Sequence, residues 1–230
     1  MDMAGPTRMS TGPQPMPIDP KLLILTQWLS PAYPTGAFAW SHGLETAIAA
    51  GWVQDAETLE AWLGDLLCDG SGRSDAIFIA MAFRTRSTGA LKALNDTAGA
   101  FAASAERLRE SARQGAAFGK VTREVWALDL PDLLLPVALG RAAHLKNLPQ
   151  TAVSALYLQG FTSNLVSAAQ RLMPLGQTEA QAVLARLTPR CAALAAETDN
   201  AGEDDLYSNC ILSDIAAMRH ETQQPRLFQS

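Results

Sequence analysis

Residues 104–127 read SAERLRESARQGAAFGKVTREVWA, and residues 150–173 read QTAVSALYLQGFTSNLVSAAQRLM. These two stretches decide the fold. In the first, Leu108, Ala112, Gly115, Gly119, Thr122 and Trp126 recur in alternating steps of four and three, the spacing of one helix face. Glycine inside a helix costs about 1 kcal/mol relative to alanine. Gly115 and Gly119 therefore predict close approach of another helix backbone, either within the chain or across a dimer interface. The flanking Glu106, Arg109, Glu110, Arg113 and Lys120 read as a solvated surface. In the second stretch Val153, Tyr157, Gly160, Asn164, Ala168 and Leu172 share a face. Asn164 thus sits among apolar neighbours, where an unsatisfied amide costs about 1–3 kcal/mol. It reads as a core amide that fixes packing or as a functional group, and Pro174 and Gly176 stop the helix.

Outward from these helices, the chain is punctuated for more of the same. Asp19-Pro20 opens a helix that runs to about Leu29. A second helix spans about Ser41 to Gly51. Asp55 caps a helix carrying Leu59, Trp62, Leu63 and Leu66. Ser74 caps another through Ile77, Met81 and Arg84. Thr178 and Gln181 have capping-box spacing and open a helix to about Glu197. No stretch alternates apolar and polar residues as a strand does. The prediction is a single all-α domain of eight to ten helices over residues 19–209. A C-terminal helix and tail, 210–230, belong to it, and a Pro/Gly-rich tail, 1–18, precedes it and is expected to be disordered.

Composition narrows the function. Of 230 residues, 48% are hydrophobic and 18% charged, enough for a core, and the net charge is −5. That charge argues against a sequence-independent nucleic-acid binder. No apolar stretch, Leu133–Leu139 included, approaches the ~20 residues of a membrane span. Three scattered cysteines and the absence of an apolar leader predict a cytoplasmic protein without a disulfide framework. The charge excess is local: Glu197, Asp199, Glu203, Asp204 and Asp205 form either a solvated loop or a strip for a basic partner.

Catalytic chemistry is hard to find. His42, His144 and His220 have no helical metal-ligand spacing, and no Cys-x-x-Cys exists. Gly119-Lys120 imitates the end of a phosphate-binding loop. Gln114 replaces its first glycine, however, and Val121 the hydroxyl that holds magnesium. Ala39-Trp40-Ser41-His42-Gly43 is one residue from the serine elbow of hydrolases, but no β-rich segment leads into it. Ser41 also reads as a helix cap. A helical hydrolase using Ser41 and a small-molecule-sensing helical dimer stay open as alternatives.

Two segments stand apart. The loop Ser30-Pro31-Ala32-Tyr33-Pro34-Thr35-Gly36-Ala37-Phe38 is stiffened by proline, with Gly36 free to take a positive φ and Phe38 and Trp40 as apolar anchors. The end of the chain carries His220-Glu221 and Arg226-Leu227-Phe228 before Ser230, where most chains are polar and frayed. Arg226 carries up to five donors. It is expected to dock on carbonyls around Tyr33–Gly36, with Leu227 and Phe228 buried beside Phe38 or Trp40. Ordering such a tail costs on the order of 10 kcal/mol, so it should be loose until a partner binds. Removing residues 221–230 should then abolish partner recruitment while the fold survives. The alternative is that Leu227 and Phe228 seal the chain's own core.

Together these segments resemble the UreF family of urease accessory proteins. The loop matches Ser-Pro-x-x-Pro-x-Gly-x-Phe-x-x-Ser-x-Gly-Leu-Glu through Ser30, Pro31, Pro34, Gly36, Phe38, Ser41, Gly43, Leu44 and Glu45. The helix resembles the family over Asn164–Ala169, Arg171-Leu172 and Pro174–Gln177. The ending is similar through His220-Glu221, Arg226-Leu227-Phe228 and Ser230. Trp40 stands where Tyr is common. The resemblance runs from residue 22 to 230 and implies a non-enzymatic all-α homodimer. It would bind a UreD/UreH-type accessory protein and recruit a UreG-type GTPase to apo-urease for GTP-dependent nickel insertion. No cofactor would be held tightly, nickel and GTP being handled by partners. The partner-binding residues so implied are Tyr33, Pro34, Gly36, Phe38, Trp40, Ser41, Glu45, His220, Glu221, Arg226, Leu227, Phe228 and Ser230. His42, Glu45 and His220 are the candidates for nickel passage.

Overall fold

The computed structural model describes residues 18–230. The expectation for the proline-rich front therefore lies outside the described residues, apart from an exposed Ile18. Within them the chain forms ten α-helices and no strand. They are α1 (Pro20–Trp28), α2 (Leu44–Ala49), α3 (Ala56–Cys68), α4 (Ser71–Arg84), α5 (Thr88–Ala100), α6 (Ala105–Trp126), α7 (Leu135–Leu145), α8 (Gln150–Leu172), α9 (Gln177–Glu197) and α10 (Ile211–His220). Asp19 accepts from Lys21 N–H, Asp55 from Thr58 N–H and Ser104 from Arg107 N–H, so three predicted helix starts are made as read.

Three starts differ. Ser74 lies inside α4, which begins one turn earlier after Gly70, because Gly72 packs against the backbone of Leu67 and lets α4 follow α3 at once. The start of α9 is held by Glu179, whose carboxylate accepts the Gly176 N–H at 3.2 Å, rather than by Thr178 and Gln181. α2 is only six residues long, because residues 41–43 turn away from helical geometry to meet the chain's end.

The apolar core lies where α4 packs on α7 and α8 on α9, with α3 closing the side of α9. Leu59, Leu63, Ile79, Val137, Leu139, Leu158 and Leu165 are fully or almost fully buried. Removing such side chains from water contributes roughly 1.5–3 kcal/mol each. A Cβ at Gly140 would collide with the Ile79 carbonyl, so the α4–α7 crossing depends on its absence.

The face of α6 is read correctly only in its second half. Gly115, Gly119 and Thr122 are buried, whereas Leu108 and Ala112 are exposed, and the burial continues toward the N-terminus through Glu106, Glu110, Gln114 and Phe118, stepping by four. The two glutamates are each 3% exposed, not part of a solvated flank. Gly115 does meet backbone closely, but the backbone is the entry to α7: a Cβ there would strike the Leu133 carbonyl and Leu135 N–H. That contact is internal, so Gly115 is not free to pair with a second copy.

Candidate functional site

The predicted loop and the predicted tail meet on the buried stripe of α6. The loop is fastened first. Gly36 takes φ 73° and starts a short 3-10 turn over Ala37–Ala39. Asn164 on α8 donates to the Ala37 carbonyl at 2.9 Å and reaches that of Trp40 at 3.4 Å. Arg171 donates to the Phe38 carbonyl at 2.7 Å. The carbonyls of Tyr33 and Gly36 are taken by the loop's own Thr35 and Ala39 N–H groups. Tyr33 turns inward, hydrogen-bonded to Thr122 at 2.8 Å and packed on Phe118 and Trp126. This corrects the docking of Arg226: two of the carbonyls it was expected to claim, those of Tyr33 and Gly36, already have donors, and Arg226 makes its contacts elsewhere.

Arg226 goes instead to Glu106, 2.5 Å away. Glu106 also faces His220 Nδ1 at 2.7 Å, and His220 Nε2 lies 3.1 Å from Glu45. Glu45 in turn accepts the backbone N–H groups of Leu227 and Phe228 at 2.7 and 2.9 Å. The chain's end then runs alongside residues 39–41: Gln229 N–H donates to the Ala39 carbonyl, and Ser41 N–H to that of Ser230, both at 2.9 Å. Gly43, at φ 76°, sits where a Cβ would lie 2.6 Å from Ala217 N, so α10 can press onto the start of α2. Phe228 is buried under the Arg171 guanidinium, 4.2 Å above its ring. The tail is thus ordered on the chain's own carboxylates. Leu227, by contrast, is 75% exposed and seals nothing.

Alongside lies a second buried cluster. His42 Nε2 is 2.8 Å from Glu110 and 2.8 Å from Arg107, which also pairs with Glu110. Burial pushes the Glu110 carboxyl up, but Arg107 and His42 together outweigh it and hold it at about 2. Burial, helped by Arg107, lowers His42 against the pull of Glu110, so the ring stays neutral near pH 7. Its Nδ1 has no protein partner. Beside it Asp75 accepts the Tyr157 hydroxyl at 2.6 Å, and burial raises its carboxyl to about 6. These groups line the polar end of a cavity of about 480 Å³, walled by Leu25, Trp28, Phe118, Leu139 and Phe161. A smaller cavity of about 90 Å³ shares His42, Asp75, Arg107 and Ser111 with it.

A family profile described as UreF matches residues 53–188. A protein of Ruegeria pomeroyi named urease accessory protein UreF is 51% identical over 214 residues, covering 93% of this chain and 99% of its own. The chain belongs to the UreF family. A UreF of Cereibacter sphaeroides is 54% identical over 209 residues, with 91% and 98% covered. One of Azorhizobium caulinodans is 43% identical over 223 residues, with 92% and 96% covered.

Against that family the candidate residues divide sharply. Tyr33, Trp40, Ser41, Glu45, His220, Phe228 and Ser230 are buried within the chain itself, whereas Pro34, Phe38, Glu221, Arg226 and Leu227 are exposed. Glu221 accepts the Ala105 N–H at 2.8 Å, adding a cap to α6. Pro174 and Gly176 form the turn between α8 and α9. Ser41 is sealed at 0% exposure with its hydroxyl spent on the Ser230 carbonyl, and His42 faces Glu110, so no nucleophile–base pair exists there. Among the described residues no group of three His, Cys, Asp or Glu side chains could hold a metal ion. His42, Glu45 and His220 are split between two ion-paired clusters. Sequence reasoning missed Glu106, Glu110, Arg107 and Asp75. The one signal for the glutamates was their four-residue spacing in register with Gln114, Phe118 and Thr122.

The remaining features are plain. The acidic strip partly serves the fold: Asp199 accepts from Gln150 and Thr151 through its carboxylate, and Arg84 grips the carbonyls of Asp199 and Ala201. All three cysteines are free, and burial, with Asp65 and Asp214 nearby, pushes the Cys210 thiol up to about 12. No helix of the described residues is long and apolar enough to cross a membrane.

Proposed function

We propose that this chain is a non-catalytic bridging subunit of urease maturation. It joins a UreD/UreH-type accessory protein to a UreG-type GTPase beside apo-urease, acts as a homodimer in the cytoplasm, and leaves GTP to its partner. One observation carries the reading: Phe38 and Leu227 are 67% and 75% exposed although their backbones are fixed by Asn164, Arg171 and Glu45. Large apolar side chains held rigidly in water have already lost the backbone entropy that binding would otherwise cost.

Nickel is cargo in this reading. The two cavities that share His42 and Asp75 support a route through the molecule, and the absence of a three-ligand cluster among the described residues suits weak, transient contact. Co-expression with the scaffold, the GTPase and apo-urease tests the reading. A co-eluting complex and nickel-dependent urease activity that needs this chain are expected. Activation at the same rate without the chain would contradict it. The 480 Å³ cavity also favours the small-molecule-sensing dimer; there, the exposed loop and tail side chains would be dispensable for function.

A further inference from the structure

Asp75, on α4, is a deep carboxylate that no base answers. Tyr157 on α8 donates to its Oδ2 at 2.6 Å, and among the described residues it forms no ion pair. The nearby Arg107 of α6 is taken by Glu110 and by the His42 ring. Glu110 collects further donors from Gln114 and Ser230. Asp75 therefore has an oxygen to spare, whereas its neighbours do not. It is also only half-buried, although it lies far enough inside for burial to raise its carboxyl. The surface it keeps is wall of the two cavities that meet at it.

The charged groups lining the larger cavity are Asp75, Glu110 and Arg107. With His42 neutral, two carboxylates against one guanidinium leave one negative charge uncompensated. The rest of the wall is largely apolar, and the rings of Trp28, Phe118, Tyr157 and Phe161 belong to it. The cavity reaches the surface beside Pro31, Phe38 and Ser167, all exposed. An anion entering it would be repelled. A neutral ligand would leave the spare oxygen without a charged partner. A bare metal ion would find too few ligands, since no group of three exists among the described residues. An ammonium group on an apolar body suits every part: its N–H donors meet the carboxylate, the ring faces attract its charge, and its body takes the apolar wall.

We propose that the larger cavity binds a small organic ammonium ion, a primary amine with an aromatic or branched aliphatic body, seated with its nitrogen at Asp75. Tyr157 holds the carboxylate through Oδ2 and leaves Oδ1 to the ligand. The site does not depend on the bridging role proposed above.

The test is calorimetric titration of the whole chain near neutral pH with phenethylamine and with its neutral counterpart, phenethyl alcohol. The amine is expected to bind at least about tenfold more tightly, because its hydrogen bond to the carboxylate is charge-assisted. Asp75→Asn should bring the amine down to the alcohol. That variant should fold, since the fold already disfavours the ionised carboxyl and an amide oxygen still accepts from Tyr157. The unsubstituted chain supplies a second reading. As pH falls through about 6, Asp75 takes up a proton and the amine, itself protonated throughout, should lose its advantage while the alcohol is unaffected. The other charged groups facing Asp75 hold steady over that range: Glu110 is held at about 2, and Arg107 keeps its charge. Asp214 of α10 lines only the smaller cavity. Equal affinity for amine and alcohol in the unsubstituted chain would overturn the proposal. So would an amine preference that survives Asp75→Asn or ignores the pH change, or no binding of either compound at millimolar concentration.

Discussion

The two halves of this molecule are held together by different physics. Where α3, α4, α7, α8 and α9 meet, the interface is mainly dry leucine, valine, isoleucine and alanine, with the Asp75–Tyr157 hydrogen bond between α4 and α8 as a polar contact within it. Where α2, α6, α10 and the chain's end meet, it contains Glu45, Glu106 and Glu110, all at most 6% exposed, with His42, His220, Arg107 and Arg226 around them. The dry half tolerates changes of shape that keep volume. The polar seam tolerates few changes, because each carboxylate taken from water must keep its partners or become an uncompensated charge. Burial of charge here holds a tail in place: four backbone N–H or C=O groups of residues 227–230 are spoken for.

The comparison breaks most easily at Glu110. Glu110→Gln should lower the unfolding free energy by about 3–5 kcal/mol, since Arg107 is left paired only with a neutral ring. The same change at the exposed Glu124 should stay within about 0.5 kcal/mol. Urea denaturation reads both, and equal small effects would return α6 to a merely solvated flank. Leu139→Ala, in the dry half, should cost about 2–5 kcal/mol.

A pH series separates the halves further. Glu110 is held at about 2 in the fold against an ordinary 4.5, so its contribution is present above 4.5 and lost as pH falls toward 2. The loss is on the order of 3 kcal/mol. His42, lowered from 6.5, adds to it: the unfolded chain takes up a proton below 6.5 that the folded chain refuses. Asp75, raised from 3.8 to about 6, works in the opposite direction, its contribution being complete below 3.8 and gone above 6. Glu110→Gln should flatten the acid limb, whereas Leu139→Ala should shift the curve down without changing its slope. Stability measured by denaturant from pH 3 to 7 checks this.

These contrasts also explain what the sequence could and could not tell. The dry half was legible because helix periodicity and capping act locally: Asp19, Asp55 and Ser104 sit where a cap must sit. The seam was not, because Glu106, Arg107 and Glu110 look in one dimension like any i, i+4 surface pattern. Only the arrival of His42 from 68 residues away, of His220 from 114 and of Arg226 from 120 makes them interior. The loop and tail were visible as odd segments. Their mutual fastening was misassigned, since nothing local says that Asn164 and Arg171 take the loop carbonyls while Glu45 takes the tail. Ser41 is the same lesson in miniature: its elbow-like setting is explained by a contact 189 residues away.

Smaller effects sharpen the account. Asn164→Ala removes the donor to Ala37 and should cost about 1 kcal/mol, with faster proteolysis in the loop at residues 30–40 as the readout. Leu227→Ser should leave the melting temperature nearly unchanged, since that side chain is 75% exposed. Deleting residues 221–230 is a poor probe of recruitment, because it strips donors from Glu45 and Glu106 and unsettles the seam.

The most direct measurement is therefore made with side chains that the fold does not need. The double variant Phe38→Asp with Leu227→Asp should melt with the unsubstituted chain and yet fail to co-elute with the UreD/UreH-type scaffold and the GTPase. A double variant that still forms the complex at full yield would contradict the claim that this rigid pair of exposed anchors is what the molecule presents to its partners.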